Sequence, residues 1–119
     1  MITLYHNPRC SKSRAALAIL EAQSKHPFEI VTYLKTPRSH SQWTQLFADL
    51  ALSEPQTILR RNEAEYAQAQ LGDQPSVEQI IEALIQYPKL MERPILQSSG
   101  QALIGRPTEL IEPWLEQLS

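Results

Sequence analysis

Apolar residues along the chain fall into short β-type runs and longer helical stripes. The first run covers Ile2–Tyr5 and ends at a turn signal, His6-Asn7-Pro8. Good helix formers follow from Ser11, and a second β-branched and aromatic run covers residues 28–33. The 22 residues between the two runs predict a β-α-β unit, with parallel neighbouring strands and a right-handed connection.

The middle of the chain predicts helices. Ser39 with Gln42 and Ser76 with Gln79 are capping-box pairs, and an alanine-containing stretch between them, ending at Gly72, predicts another short helix. Apolar residues at helical spacing follow each pair: Trp43, Leu46, Phe47 and Leu50 after the first, and Val77, Ile80, Ile81, Leu84 and Ile85 after the second. We interpret both stripes as core and not as binding grooves.

The last third returns to β-type runs. Residues 94–97 and 102–104 flank a Ser-Ser-Gly-Gln turn and predict a hairpin. A closing helix is expected over residues 108–118, with Pro107 near its first turn and a kink or break at Pro113. The order β-α-β, helices, β-β-α predicts a single α/β domain over residues 1–119.

Composition and charge narrow the function classes. The 119 residues are 42% apolar and 20% charged, with a net charge of −2, which argues against a nucleic-acid surface built from positive charge. No apolar run approaches the roughly 20 residues of a membrane span, and residues 1–6 lack a signal-peptide pattern. We therefore expect a cytoplasmic protein without a membrane or nucleic-acid partner.

The chain has one cysteine, Cys10. This count excludes a disulfide framework and an all-cysteine metal site, and the three histidines are not spaced for a metal, so we expect none. A lone cysteine is often a small buried hydrophobe. If Cys10 does redox chemistry, its disulfide must be completed by a thiol from another molecule.

Cys10 stands where a predicted strand ends and a helix begins. Unpaired backbone N–H groups and the helix dipole at such a place favour a thiolate and can bind an oxyanion. Arg9, Lys12 and Arg14 add three cations within four residues of the sulfur. We therefore expect the pKa of the thiol to lie below its free value.

The spacing Cys-x-x-Ser shapes the chemistry that is possible. Ser13 could cap the helix or hydrogen-bond the thiolate, but it cannot resolve a mixed disulfide, so an outside thiol is needed and glutathione is the expected one. His6 could tune the proton of the thiol or simply finish the first strand.

Several arginines elsewhere suit an oxyanion. Arg93-Pro94 and Arg106-Pro107 form a matched pair, and a guanidinium offers a planar fork of donors. Each of these arginines, like Arg60 and Arg61, could instead be an ordinary surface charge.

Four motifs in order resemble the glutaredoxin-linked arsenate reductase family, over residues 2 to about 114. They are His6-Asn7-Pro8-Arg9-Cys10-Ser11-Lys12-Ser13-Arg14, Ile58-Leu59-Arg60-Arg61-Asn62, Pro88-Lys89-Leu90-Met91-Glu92-Arg93-Pro94-Ile95 and Ile104-Gly105-Arg106-Pro107. The resemblance implies a thioredoxin-like fold with a mixed four-stranded sheet flanked by helices. It also implies a helical insertion, at about residues 37–88, between strands 2 and 3, and a cis Pro94 beside the cysteine loop.

The resemblance also implies an activity, the reduction of arsenate to arsenite. Cys10 would be the nucleophile, and Arg60, Arg93 and Arg106 would bind the oxyanion. Glutathione and glutaredoxin would be the reductants, with no bound cofactor. Supporting positions near the thiolate are His6, Ser11, Lys12, Ser13, Arg14 and Pro94.

The cysteine loop departs from the family pattern in one place. Ser11-Lys12 stands where arsenate reductases carry a Gly-Thr pair, and Arg9 replaces a small residue. This difference indicates a related branch of the family, in which Lys12 could help anion binding or shift its preference.

Two other functions stay open. Related proteins of this fold are regulators that bind RNA polymerase, but they usually carry a Cys-x-x-Cys switch that Ser13 removes. A general glutathione-dependent thiol-disulfide oxidoreductase fits Cys-x-x-Ser but leaves the three arginines without a purpose.

Overall fold

The computed structural model describes residues 1–23, 25–61 and 63–118, so Asn62 of the second motif lies outside the described residues. Four strands form one sheet in the order β2-β1-β3-β4: β1 (Ile2–Tyr5), β2 (Phe28–Val31), β3 (Ile95–Ser98) and β4 (Gln101–Ile104). β1 is parallel to β2, whereas β3 is antiparallel to both β1 and β4. The predicted mixed four-stranded sheet is confirmed.

The helix α1 (Ser11–Ala22) connects β1 to β2, as the β-α-β prediction requires. β2 ends at Val31, two residues earlier than predicted. The chain turns there because the carbonyl of Thr32 accepts the backbone N–H groups of Lys35 and Thr36, both at 2.9 Å. Tyr33 therefore follows the strand instead of belonging to it.

The helices α2 (His40–Leu50), α3 (Ala64–Ala69) and α4 (Val77–Gln86) lie between β2 and β3, with short 3₁₀ helices at Pro55–Ile58 and Pro88–Leu90. The predicted helical insertion is confirmed. Both capping boxes form, with the side chains of Ser39 and Ser76 accepting the N–H groups of Gln42 and Gln79.

The second apolar stripe is only partly core. Val77 and Ile85 are 39% and 45% exposed, so their assignment to the core was wrong. The buried face of α4 includes Ala83, which turns that face away from Ile85, and Val77 is the first residue of the helix.

The hairpin of β3 and β4 closes with Ser98 opposite Gln101, and Gly100 takes a positive φ of 79° in the turn. The closing helix has two pieces, a 3₁₀ helix at Thr108–Leu110 followed by α5 (Ile111–Gln117). The expected division into two short pieces is present, but it lies between Leu110 and Ile111 and not at Pro113. A proline in the first turn of α5 interrupts no helical hydrogen bond. The peptide bond before Pro94 is cis, as is the one before Pro107.

Helices cover both faces of the sheet. One buried cluster joins the insertion helices to the sheet and includes Tyr33, Trp43, Leu90 and Met91. The other joins α1 and α5 to Ile2, Leu4 and Leu96. Within the described ranges, no helix has the length and apolar character to cross a membrane.

The strand registers bring four chain segments to one edge of the sheet. Tyr5 lies opposite both Val31 and Ile95, and Ile95 lies opposite Ile104. The residues after β1, β2 and β4 and those before β3 therefore emerge side by side. The cysteine loop and both Arg-Pro pairs belong to these segments.

Candidate active site

Cys10 is the N-cap residue of α1, with φ −95° and ψ 122°, and only 8% of it is exposed. Its carbonyl accepts the N–H of Arg14 at 3.0 Å. The backbone N–H groups of Lys12 and Ser13 act on its thiol from the first turn of α1, but its side chain makes no capping hydrogen bond. The thiol thus lies at the positive end of the helix, as the sequence predicts.

Burial raises the pKa of the Cys10 thiol, but the N–H of Ser13, the charge of Arg93 and the N–H of Lys12 outweigh burial, so the pKa is lowered. The cation that lowers the pKa of Cys10 is therefore Arg93, which lies far from Cys10 in the sequence. The side chains of Arg9, Lys12 and Arg14, which we expected to act, are exposed. The Arg14 guanidinium instead donates to the carbonyl of Pro8 at 2.9 Å.

Ser13 is fully buried, and its side chain neither caps α1 nor bonds the thiolate. Its Oγ lies 2.7 Å from Nδ1 of His6 and accepts the backbone N–H of Asn7 at 3.0 Å. The backbone N–H of His6 donates to the carbonyl of Val31 at 2.9 Å, which favours the structural role for His6. Burial and the charge of Arg14 lower the pKa of His6, so its ring is neutral at neutral pH.

Arg93 and Arg106 approach Cys10 from the two Arg-Pro segments. Nη2 of Arg106 lies 3.8 Å from the sulfur, and Nε of Arg106 donates to the carbonyl of Arg93 and lies 3.4 Å from Oε1 of Glu92. Nε of Arg93 is buried and has no hydrogen-bond partner among the described residues. Such a buried donor calls for an acceptor.

Arg60 lies near this group but does not touch the sulfur. Its N–H donates to the carbonyl of Leu90 at 2.7 Å, which joins the second motif to the third. Its guanidinium is paired with the carboxylate of Glu63, which Lys89 also approaches at 3.7 Å. Arg61 is exposed and lies over the ring of Tyr66, at 5.7 Å from the ring centre.

Tyr33 also lies at this edge of the sheet, where the sequence pattern does not predict it. It is 1% exposed, and burial raises the pKa of its phenol to about 12, with further effects from the charges of Arg93, Cys10, Arg60 and Glu92. The apolar run over residues 28–33 predicts it as part of the second strand. A phenol two residues beyond the carboxyl end of a parallel strand is the signal that could have indicated its place.

Other features of the surface lie away from Cys10. A cleft of about 480 Å³ between α1 and α5 is lined by Ile19, His26 and Leu115. In the part of the chain that the structure describes, no three His, Cys, Asp or Glu side chains come together as a metal site would need. The site at Cys10 offers cationic and N–H donors, which suit an oxyanion.

The chain is similar to known proteins over most of its length. The ArsC family model matches residues 5–113. An arsenate reductase of Neisseria meningitidis serogroup A is 40% identical over 113 residues, which are 93% of this chain and 95% of that protein. The uncharacterised protein YfgD of Escherichia coli K12 is 40% identical over 111 residues, 92% of each chain.

A solved structure of a related protein is also similar to this chain. The arsenate reductase from Vibrio cholerae superposes with a TM-score of 0.85 at 41% identity, covering 98% of this chain and 97% of the other. The family match spans nearly the whole chain and contains both the cysteine loop and the two Arg-Pro segments. The protein is therefore a member of the ArsC family.

Proposed function

We propose that this protein reduces arsenate to arsenite through the thiolate of Cys10. The observation that carries the proposal is the convergence of Arg93 and Arg106 on a cysteine whose pKa is lowered. The buried Nε of Arg93 has no acceptor among the described residues, and an arsenate oxygen would supply one. Family membership supports the same chemistry.

In the first step, the Cys10 thiolate attacks arsenic. A sulfur–arsenic bond forms, an arsenic–oxygen bond breaks, and the oxygen leaves as water after taking protons from solvent. Arg93 and Arg106, with the N–H groups at the start of α1, stabilise the negative oxygens as charge moves onto them. This step changes no oxidation state.

Reduction requires two outside thiols. Glutathione displaces a second water and becomes bound to arsenic through its sulfur. A glutaredoxin thiolate then attacks that sulfur and forms a mixed disulfide with glutathione. The sulfur–arsenic bond breaks, and its electron pair stays on arsenic, which passes from As(V) to As(III). Water then cleaves the bond to Cys10, and arsenite and the free thiol are released.

The single cysteine supports this route. Ser13 is committed to His6 and Asn7, so no side chain at that position can displace a mixed adduct. Reductants from outside the chain are therefore part of the proposal. So is a cytoplasmic location, since the glutathione pool of the cytoplasm keeps thiols reduced.

Arg60 can bind the oxyanion only after its side chain is released from an ion pair. Its guanidinium is paired with Glu63, so binding an arsenate oxygen requires that this ion pair opens. Arg93 and Arg106 need no such rearrangement to reach the sulfur. We therefore assign first contact with the oxyanion to Arg93 and Arg106.

The test is arsenate-dependent NADPH consumption with glutathione, glutaredoxin and glutathione reductase. The wild type should turn over and Cys10→Ser should not. Arg93→Ala and Arg106→Ala should each lose about 10- to 100-fold in kcat/KM, as expected for one charge-assisted contact. Arg61→Ala is the matched control and should keep wild-type activity, because Arg61 lies over Tyr66 and not at the sulfur. Full activity of Cys10→Ser, or no arsenate turnover by the wild type, would overturn the proposal.

A further inference from the structure

The position of Tyr33 at the sheet edge is fixed by the backbone. β2 is parallel to β1 with Tyr5 opposite Val31, and Tyr33 lies two residues past the end of β2. Its ring belongs to the same buried cluster as Leu59 and Met91, which form an isolated antiparallel bridge. With 1% of the residue exposed, the ring is held in place by its packing.

Leu59 and Met91 place charged residues around the phenol. Arg60 follows Leu59, and Glu92 and Arg93 follow Met91. The charges of Arg60, Arg93, Glu92 and ionised Cys10 all act on the Tyr33 hydroxyl. The hydroxyl therefore lies within reach of the charges that surround the proposed oxyanion site.

Among the described residues, the neighbours of the Tyr33 hydroxyl act on it through burial and charge, and none through a hydrogen bond. By contrast, the hydroxyl of Tyr5, a tyrosine equally buried at 1% exposed, donates to Gln97 at 2.7 Å and accepts from Arg38 at 3.2 Å. Buried tyrosine hydroxyls ordinarily find a partner.

The phenol keeps its proton. Burial raises its pKa to about 12, so at neutral pH the group is an O–H donor and not a phenolate, which would repel an anion. A neutral donor on a fixed ring can hold an anionic oxygen without adding to the cationic charge of the two arginines. Because the ring is already in place, binding requires little reorganisation.

We propose that the Tyr33 hydroxyl donates a hydrogen bond to an oxygen of the arsenate held at Cys10, as a substrate-binding residue of the site. This inference rests on the proposed function and assigns a contact within it. Tyr33 binds the substrate and does not activate the thiol.

Two readouts separate these roles in Tyr33→Phe, with Tyr5→Phe as the matched control that also loses one buried hydroxyl. The first is the rate at which iodoacetamide alkylates Cys10 without arsenate. The second is the arsenate concentration that halves this rate by protection. For Tyr33→Phe we expect an unchanged first value and an increase of about 10- to 100-fold in the second. Tyr5→Phe should leave both unchanged.

Each alternative outcome has a distinct meaning. If arsenate protects Tyr33→Phe as well as it protects the wild type, the Tyr33 contact is overturned and the proposed function stands. If Tyr33→Phe alters alkylation without arsenate, the phenol acts on the thiol, and the inference is again wrong. If arsenate neither protects the wild type nor is turned over, the proposed function fails and the Tyr33 contact fails with it.

Discussion

The Oγ of Ser13 lies 2.7 Å from Nδ1 of His6, so a buried contact joins the first turn of α1 to the end of β1. The same oxygen accepts the N–H of Asn7. The loop that carries Cys10 begins and ends at these partners. These hydrogen bonds hold the two ends of the loop together. The loop is fixed in this way although the Cys10 side chain makes no capping hydrogen bond to α1.

Replacing Ser13 with alanine should destabilise the fold. The change leaves the buried ring of His6 and the N–H of Asn7 without their partner, which costs about 1–3 kcal/mol of unfolding free energy. Urea denaturation measures the difference. Ser11→Ala, on the exposed side of the same turn, is the control and should change stability by less than about 0.5 kcal/mol. Equal effects of the two changes would contradict the role of the Ser13 hydroxyl.

Stability should fall on the acid side of neutrality because of His6. Burial and Arg14 lower the pKa of His6 below its ordinary value of 6.5 in the folded protein. The unfolded chain therefore takes the proton first as pH falls. The contribution is fully present above 6.5 and is lost as pH falls through the lower folded pKa. Unfolding free energies from about pH 8 to about pH 5 test this, and His6→Asn should remove part of the slope. Parallel profiles for wild type and His6→Asn would count against it.

The reactivity of Cys10 should depend on Arg93 more than on Lys12. The charge of Arg93 lowers the pKa of the thiol, whereas Lys12 acts through its backbone N–H, which any residue supplies. Arg93→Met should therefore shift the pH profile of iodoacetamide alkylation to higher pH. Lys12→Met should leave the profile in place. A shift of similar size in Lys12→Met would show that the side-chain charge acts after all.

Glu63 should compete with arsenate for Arg60. Its carboxylate pairs with Arg60 and lies 3.7 Å from Lys89, whereas Glu65 has Lys89 as its one ion-pair partner among the described residues, at 3.4 Å. Glu63→Gln should lower the KM for arsenate about two- to fivefold, the range that one partly exposed ion pair supports. Glu65→Gln is the control, with the same charge change but no contact to Arg60. An unchanged KM in Glu63→Gln would indicate that Arg60 does not need to leave Glu63.

Elements with local signals were predictable from the sequence. β1 has the predicted bounds, and both capping boxes form at the predicted serines, because strand ends and helix starts are decided by neighbouring residues. The end of β2 was missed because a turn at Thr32, held by two backbone hydrogen bonds, competes with an apolar run that could continue as a strand. The sequence predicts a break at Pro113 because it does not show where the first turn of α5 begins.

At the site, the position of Cys10 was predictable and its partners were not. A cysteine between a strand and a helix is a local pattern. The effect of Arg93 on the thiol depends on the pairing of β1 with β3, which brings together residues far apart in the chain. The position of Tyr33 at the site was not predictable for the same reason. Its role depends on a sheet edge that only the full topology defines.

The antiparallel bridge between Leu59 and Met91 has a consequence for how this chain tolerates changes in length. With the bonds from Arg60 to Leu90 and from Glu92 to Ile58, it closes the chain between these residues into a loop whose two ends are fixed beside each other. Gly72, Asp73 and Gln74 are exposed at a turn far along that loop. Insertions or deletions there would alter the outline of the molecule while Arg60 and Arg93 keep their spacing, so a family built on this frame can vary the size of its insertion without rebuilding its site.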